Sequence, residues 1–310
     1  MALPGAAAAL LARWRESDLW WSFRRSPVAV GAALVALLCI GGALLAPWIA
    51  PHDPFDLAGL DLSNAFKPPA WDAEGDPAFP LGTDGQGRDV LSAILYGARI
   101  SLLVGLSATA FATLLGVLLG LVAGYAGGTA DAVLMRIADV QLTFPSILVA
   151  LLVNGVVQAS LPRELHGALA LYVVIFAIGI SEWPKFARTV RGSTLVERNK
   201  EYVLAARVIG LGRARIMLTH VLPNVLGPVL VIATLNLGLA ILAEATLSFL
   251  GVGVPPTQPS LGTLIRIGND FLFSGEWWIT IFPGAALVAM VLSVNLLGDW
   301  LRDALNPKLR

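Results

Sequence analysis

Apolar residues in this chain come in long unbroken runs, not at the three- and four-residue intervals of an amphipathic surface helix. A helix rising 1.5 Å per residue needs about 20 apolar residues to cross a hydrocarbon core of roughly 30 Å. Six stretches meet that requirement: 28–50, 101–124, about 133–157, about 168–183, about 225–254 and 277–300. The second carries no charge, the third holds Arg136 and Asp139 in its first turns, and the fourth is the shortest. The fifth contains one acid, Glu244, and the sixth opens on the pair Trp277 and Trp278 and ends at Trp300, as interfacial aromatics do. The pattern predicts an all-α, polytopic membrane protein with six transmembrane helices.

The first run is basic on its N-terminal side, as a secretory signal would be. It is nevertheless longer than the roughly 7–15 residue core of such a signal, and no small-x-small site precedes Pro51, so a retained helix is expected. Composition agrees with a membrane protein: 56% of the 310 residues are hydrophobic and 14% charged, against about 25% charged in soluble domains. Formal net charge is zero, but the charges are segregated. Sixteen of the 21 Lys and Arg fall in the tail (Arg13, Arg15, Arg24, Arg25), at the start of the third run (Arg136), in 184–224 and after the sixth run (Arg302, Lys308, Arg310). By the positive-inside rule these segments, and both termini, are expected in the cytoplasm. The chain then divides into a tail 1–27, a first helix 28–50, an external loop 51–100 and a five-helix core 101–310 with a cytoplasmic loop 184–224. A prokaryotic cytoplasmic (inner) membrane is the expected location.

The inner loop holds eight bases against Glu197 and Glu201. Residues 198–209 read as a short helix with Val203 or Leu204, Val208 and Leu211 on one side. Ala205 and Ala206 leave room for another surface to approach, Gly210 and Gly212 let the chain turn away, and Pro223 suits the first turn of the next helix. Such an element is expected to dock a partner. With Ala205, Ala206, Gly210, Leu222 and Pro223 at these spacings, the segment resembles the EAA loop of ABC importer permeases. Leu204 stands where that pattern has Glu, His220 where it has Ile, and a Glu appears earlier, at Glu201. The Glu-Tyr-Val start and His-x-Leu-Pro-Asn end are similar to the peptide and nickel branch of the family. So are 81–90 (LGTDGQGRDV), 96–101 (YGARIS), 247–253 (LSFLGVG) and 295–307 (NLLGDWLRDALNP).

The resemblance implies the type I permease fold and a subunit that translocates di- or oligopeptides, with nickel chelates or glutathione as alternative cargo. It also implies partners: a second homologous permease, two cytoplasmic ATP-binding subunits carrying ATP and Mg, and an external solute-binding protein, all in membrane lipid and without nucleic acid. Glu201, Leu204, Ala205, Ala206, Val208, Gly210, Leu222 and Pro223 would couple this chain to the ATPases. The sequence holds no Gly-x-x-x-x-Gly-Lys-Ser/Thr loop, so no cofactor is expected on this chain.

Outside that loop, Glu244 lies at membrane depth, where an ionisable group is costly, and is expected to line the pathway or bond to a neighbour. The turn 82–89 precedes the second run, and Thr83, Asp84, Arg88 and Asp89 are candidate contacts for the delivering protein. Arg136 and Asp139 are expected to pair locally. Trp20 and Trp21 should anchor at the interface. His52, His166 and His220 have no ligand spacing, so no metal site is expected, and no catalytic constellation is present. An ion-coupled secondary transporter, the rival class, would need more buried charge than Glu244 alone.

Overall fold

The computed structural model describes residues 18–55, 61–255 and 257–305; the tail bases Arg13 and Arg15, Pro256, and Lys308 and Arg310 lie outside them. The described residues form Asp18–Arg25 (α1), Pro27–Ile49 (α2), Val90–Ala126 (α3), Gly128–Leu142 (α4), Ser146–Ser160 (α5) and Arg163–Glu197 (α6). Glu201–Val208 (α7), Arg213–Ile216 (α8), Leu222–Phe249 (α9), Leu261–Asn269 (α10) and Trp278–Leu305 (α11) follow. No strand occurs among these residues beyond an isolated bridge between Thr83 and Asp89. Five helical runs are long and apolar enough to cross a membrane, and the bent pair α4–α5 supplies up to a sixth.

The helices turn small residues inward and large ones outward. On α2 the buried residues are Ala29, Ala32, Ala36, Ala43 and Ala46, while Leu37, Leu38 and Trp48 are exposed. That inversion of a soluble helix suits a chain whose solvent is lipid, where close backbone approach replaces the hydrophobic drive. The seam between α3 and α6 carries it furthest. A Cβ on Gly116 would lie 2.8 Å from the Trp183 carbonyl oxygen, one on Gly120 2.5 Å from that of Ala187, and one on Gly124 2.9 Å from that of Arg191. Three glycines one turn apart therefore meet three successive turns of α6.

The third apolar run differs from the expected single span. It is two 15-residue helices meeting at 97° across 143–145. Pro145 has no N–H to continue α4 and disfavours the α conformation at Phe144. The fourth run differs the other way. It extends to Glu197 instead of stopping near Trp183, so about a third of the expected inner loop continues this helix. Pro184 sits inside α6 and leaves the Ile180 carbonyl without its usual donor. The Gln141 side chain donates to that carbonyl at 2.6 Å, and the Trp183 indole donates to the Gln141 carbonyl at 3.0 Å. Asp131 accepts from two nitrogens of Arg191, and Asp139 lies 3.8 Å from Arg188 rather than pairing with Arg136. α8, a π turn at Met217–Val221 and α9 form one continuous run.

α1 lies at the foot of the bundle. Trp20 stacks on Phe23, Phe23 meets Trp300 edge-on, and the Arg25 guanidinium sits over the Trp21 ring, a cluster of the kind found at membrane interfaces.

The α3–α6 seam yields a stability test. Gly120→Val is expected to lower the thermal midpoint of the detergent-purified protein by overpacking, at a cost of about 1–3 kcal/mol. Gly155→Ala, where no atom lies within 4 Å of the added Cβ, should leave the midpoint unchanged or slightly raised. Equal melting of the two variants would rule out the seam as a close-packed contact.

Candidate functional site

The short helix of the 198–224 segment projects at one end of the bundle. α6 ends beside α3, where the Arg198 side chain donates to the Gly124 carbonyl at 2.7 Å, and α7 begins three residues later. Val203 and Ala206 are buried under it, against Tyr125, Val190, Ile216 and Val221. Leu204, Ala205, Val208 and Ile209 are exposed, with Val208 at 86%. Of the two expected alternatives it is Leu204, not Val203, that shares a face with Val208, and that face is an outer strip of small and branched residues. Val203 and Ala206 form an inner pair that buttresses the helix, and Leu211 packs with them instead of with Val208.

Gly210 ends the helix by its backbone. Its φ is +81°, the Leu211 N–H donates to the Ala206 carbonyl, and the Gly210 N–H donates to that of Arg207. This is the Schellman arrangement, which puts a left-handed residue at that position. No neighbour lies within 4 Å of a Cβ built there, so conformation, not space, calls for glycine.

The two ends of the motif touch. The Tyr202 hydroxyl donates to Glu197 and accepts from the Asn224 side-chain amide at 3.1 Å, and Lys200 pairs with Glu197 at 2.7 Å. Leu222 is half-buried beside this cluster and Pro223 is exposed in the first turn of α9. Glu201 is exposed, in the first turn of α7, where its charge faces the positive end of the helix dipole. Partial burial and the bond to Glu197 push the Tyr202 phenol up to about 12.

At the opposite end, Thr83, Asp84, Arg88 and Asp89 are all buried, contrary to the expectation that they face a delivering protein. Arg88 pairs with Asp84 at 2.7 Å, the Trp278 indole donates to the Thr83 carbonyl at 3.0 Å, and Lys67 N–H donates to the Thr83 hydroxyl. Asp89 caps α3, accepting from the Ser92 N–H at 2.8 Å. Gly82 and Gly87, at φ +80° and +75°, make the reversal possible. The turn is a plug tying the loop between α2 and α3 to α3 and α11.

Glu244 is fully buried and bonds within the chain. Ser101 of α3 donates to its Oε2 and Ser248 to its Oε1, each at 2.7 Å. The same hydroxyls accept from the Leu261 N–H of α10 at 3.3 Å and the Val254 N–H at 3.1 Å. One carboxyl thus fixes α3, α9, the 250–260 loop and α10 together. Neither serine stood out alone, yet both lie in stretches that carried the family resemblance, 96–101 and 247–253.

Among the described residues no group of three or more His, Cys, Asp or Glu could hold a metal ion. His52 stacks on Phe79, His166 lies 3.0 Å from the Leu161 carbonyl, and His220 contacts Thr219.

Two outcomes follow from these geometries. Because the Tyr202 pKa is raised on folding, its contribution to stability is complete below about pH 10 and is lost as pH rises toward 12. An alkaline titration read by tyrosinate absorbance should lose a component near 12 in Tyr202→Phe; an unchanged upper limb would contradict the Glu197 contact. For the carboxyl, Glu244→Gln should keep near-normal melting, since an amide can still partner both hydroxyls. Glu244→Leu strands them and should cost about 1–3 kcal/mol for each. A Gln variant as unstable as the Leu variant would argue against this account.

Comparison with known proteins agrees with the architecture. Over 293 residues the chain is 39% identical to the di/tripeptide transport system permease protein DppC of Pseudomonas aeruginosa, covering 94% of this chain and 92% of that one. It is 42% identical to the dipeptide transport system permease protein DppC of Escherichia coli K12, with 94% and 93% covered. It is 36% identical to the probable D,D-dipeptide transport system permease protein DdpC of the same strain, with 96% and 93% covered. Residues 13–69 match the N-terminal TM domain of oligopeptide transport permease C. With residues 116–310 matching the corresponding family description, the chain belongs to the binding-protein-dependent transport system inner membrane components.

Proposed function

We propose that this chain is one of two transmembrane subunits of an ATP-driven importer that carries dipeptides and related short peptides into the cytoplasm. The names of its relatives support the cargo. The observation that carries the mechanism is the exposed strip Leu204, Ala205, Val208 and Ile209 on a helix braced from beneath and stopped by Gly210. A strip of that kind offers a partner a small, rigid apolar knob. Seated in a cytoplasmic ATP-binding subunit, it would transmit closure of the two ATPases through Arg198 and the α3–α6 seam into the membrane helices. ATP and Mg would reside on those subunits, a second homologous permease would complete the pathway, and an external binding protein would deliver the peptide.

This arrangement sets both termini and the 198–224 segment in the cytoplasm, as the distribution of Lys and Arg supports. The external loop then lies outside. Its buried turn would hold the first helix to the core, leaving exposed residues of the loop to meet the delivering protein. Glu244 serves the frame of the pathway rather than its lining.

The decisive measurement uses the assembled importer in proteoliposomes. Ala205→Arg and Gly210→Val should each preserve assembly but reduce both peptide uptake and binding-protein-stimulated ATP hydrolysis at least about tenfold, the effect of some 1.4 kcal/mol at the contact. Wild-type uptake and stimulation in both variants would remove the docking role from α7.

A further inference from the structure

Most bases of the segment after Pro184 are spent on partners inside the chain. Lys185 pairs with Glu182, Arg188 with Asp139, Arg191 with Asp131 and Lys200 with Glu197, while Arg198 binds the Gly124 carbonyl. Arg207 and Arg213 differ: among the described residues neither enters an ion pair, and Arg207 reaches an internal acceptor, the Arg198 carbonyl, only at a long 3.4 Å. Both line a cavity of about 470 Å³ between the end of α3 and the α7–α8 turn, together with Val122, Tyr125, Leu211 and Ile216. The Arg207 guanidinium lies 5.2 Å from the centre of the Tyr125 ring, which holds it over the cavity by cation–π attraction. Among the described residues no carboxylate lines the space.

The cavity has a distinct exit. Val122 continues along α3 into Leu118 and Leu114, each one turn further into the membrane span and each exposed, Leu114 at 63%. Two guanidiniums over a pocket at the end of a span, with an apolar stripe leading away along that span, match an anionic head with a hydrocarbon tail. We infer that this cavity binds the phosphate head of an anionic phospholipid, with Arg207 and Arg213 as its ligands and the 114–122 stripe of α3 as the seat of an acyl chain. Its volume is in the range of small-molecule sites, and basic pockets between helices at a cytoplasmic face are where such headgroups settle. Because Arg207 belongs to α7, a bound lipid would brace the coupling helix against the membrane end of α3, making coupling sensitive to the anionic lipid content of the bilayer.

The inference rests on the proposed orientation only for which leaflet supplies the lipid. It is tested in detergent, where orientation plays no part, so its failure would leave the importer reading untouched. The purified full-length chain, alone and in the assembled importer, is titrated with phosphatidylglycerol, phosphatidylcholine and inorganic phosphate while retained lipid is counted by native mass spectrometry. One saturable phosphatidylglycerol site is expected, with phosphatidylcholine much weaker and millimolar phosphate unable to displace it. The double variant Arg207→Gln, Arg213→Gln should weaken that site about 30-fold, the loss of two interfacial charges, and Arg207→Lys, Arg213→Lys should restore most of it. Val122→Trp, which fills the apolar foot, should weaken lipid binding while leaving the charges in place. Undiminished phosphatidylglycerol binding by the Gln variant, equal binding of phosphatidylcholine, or phosphate competing as well as lipid would each overturn the assignment. So would loss of the second permease from the Gln variant with no lipid found in the wild-type assembly, which would make this surface a subunit contact.

Discussion

Everything at the basic end of this protein is positioned by one contact, the backbone-to-backbone approach of α3 and α6. In lipid there is no gain from hiding apolar surface, because the surroundings are as apolar as the protein. What holds two long helices together is the dispersion available when their axes come close, and only side chains without bulk permit that. Gly116, Gly120 and Gly124 meet the turns of α6 that carry Phe186, Val190 and Thr194. The seam ends where Arg198 reaches the Gly124 carbonyl, three residues before α7 starts, so the height of α7 above the bundle follows from the register of the glycines.

The other end depends on a different economy. A buried carboxyl is tolerable when hydroxyls and backbone share it, and Glu244 is shared by Ser101 and Ser248, which in turn receive the N–H groups of Leu261 and Val254. This polar knot secures irregular chain between 250 and 260, whose buried backbone groups would be costly to leave unpaired. α3 belongs to both arrangements, with Ser101 in one and Gly116–Gly124 in the other. A displacement at one end of the bundle has a stiff path to the other through a single helix of about 55 Å.

Much of this was legible in the residues and some was not. The apolar runs located the five long helices that can cross a membrane among the described residues, because length and composition are local properties, but they did not show the corner that breaks the third run. Where α6 ends was not legible: Lys185, Arg188 and Arg191 lowered the average hydropathy of 184–197 and masked Phe186, Ala187 and Val190, the buried residues that pack this stretch against α3. The turn at 82–89 was recognisable from its glycines and from Asp89 ahead of an apolar run. Its burial was not, since the indole that closes it, Trp278, is 195 residues away. For α7, spacing left Val203 and Leu204 as alternatives on the face of Val208, and only the location of Tyr125, Ile216 and Val221 decides that Val203 turns inward and Leu204 outward.

The bridge made by Gln141 has a mechanical meaning. α4 stops at a proline corner and α6 continues through a proline with one carbonyl left bare; a single amide mends the second from just before the first. The two weak points are splinted to each other, so neither can flex without unloading its neighbour. The bundle is thereby given one joint where the prolines alone would have made two.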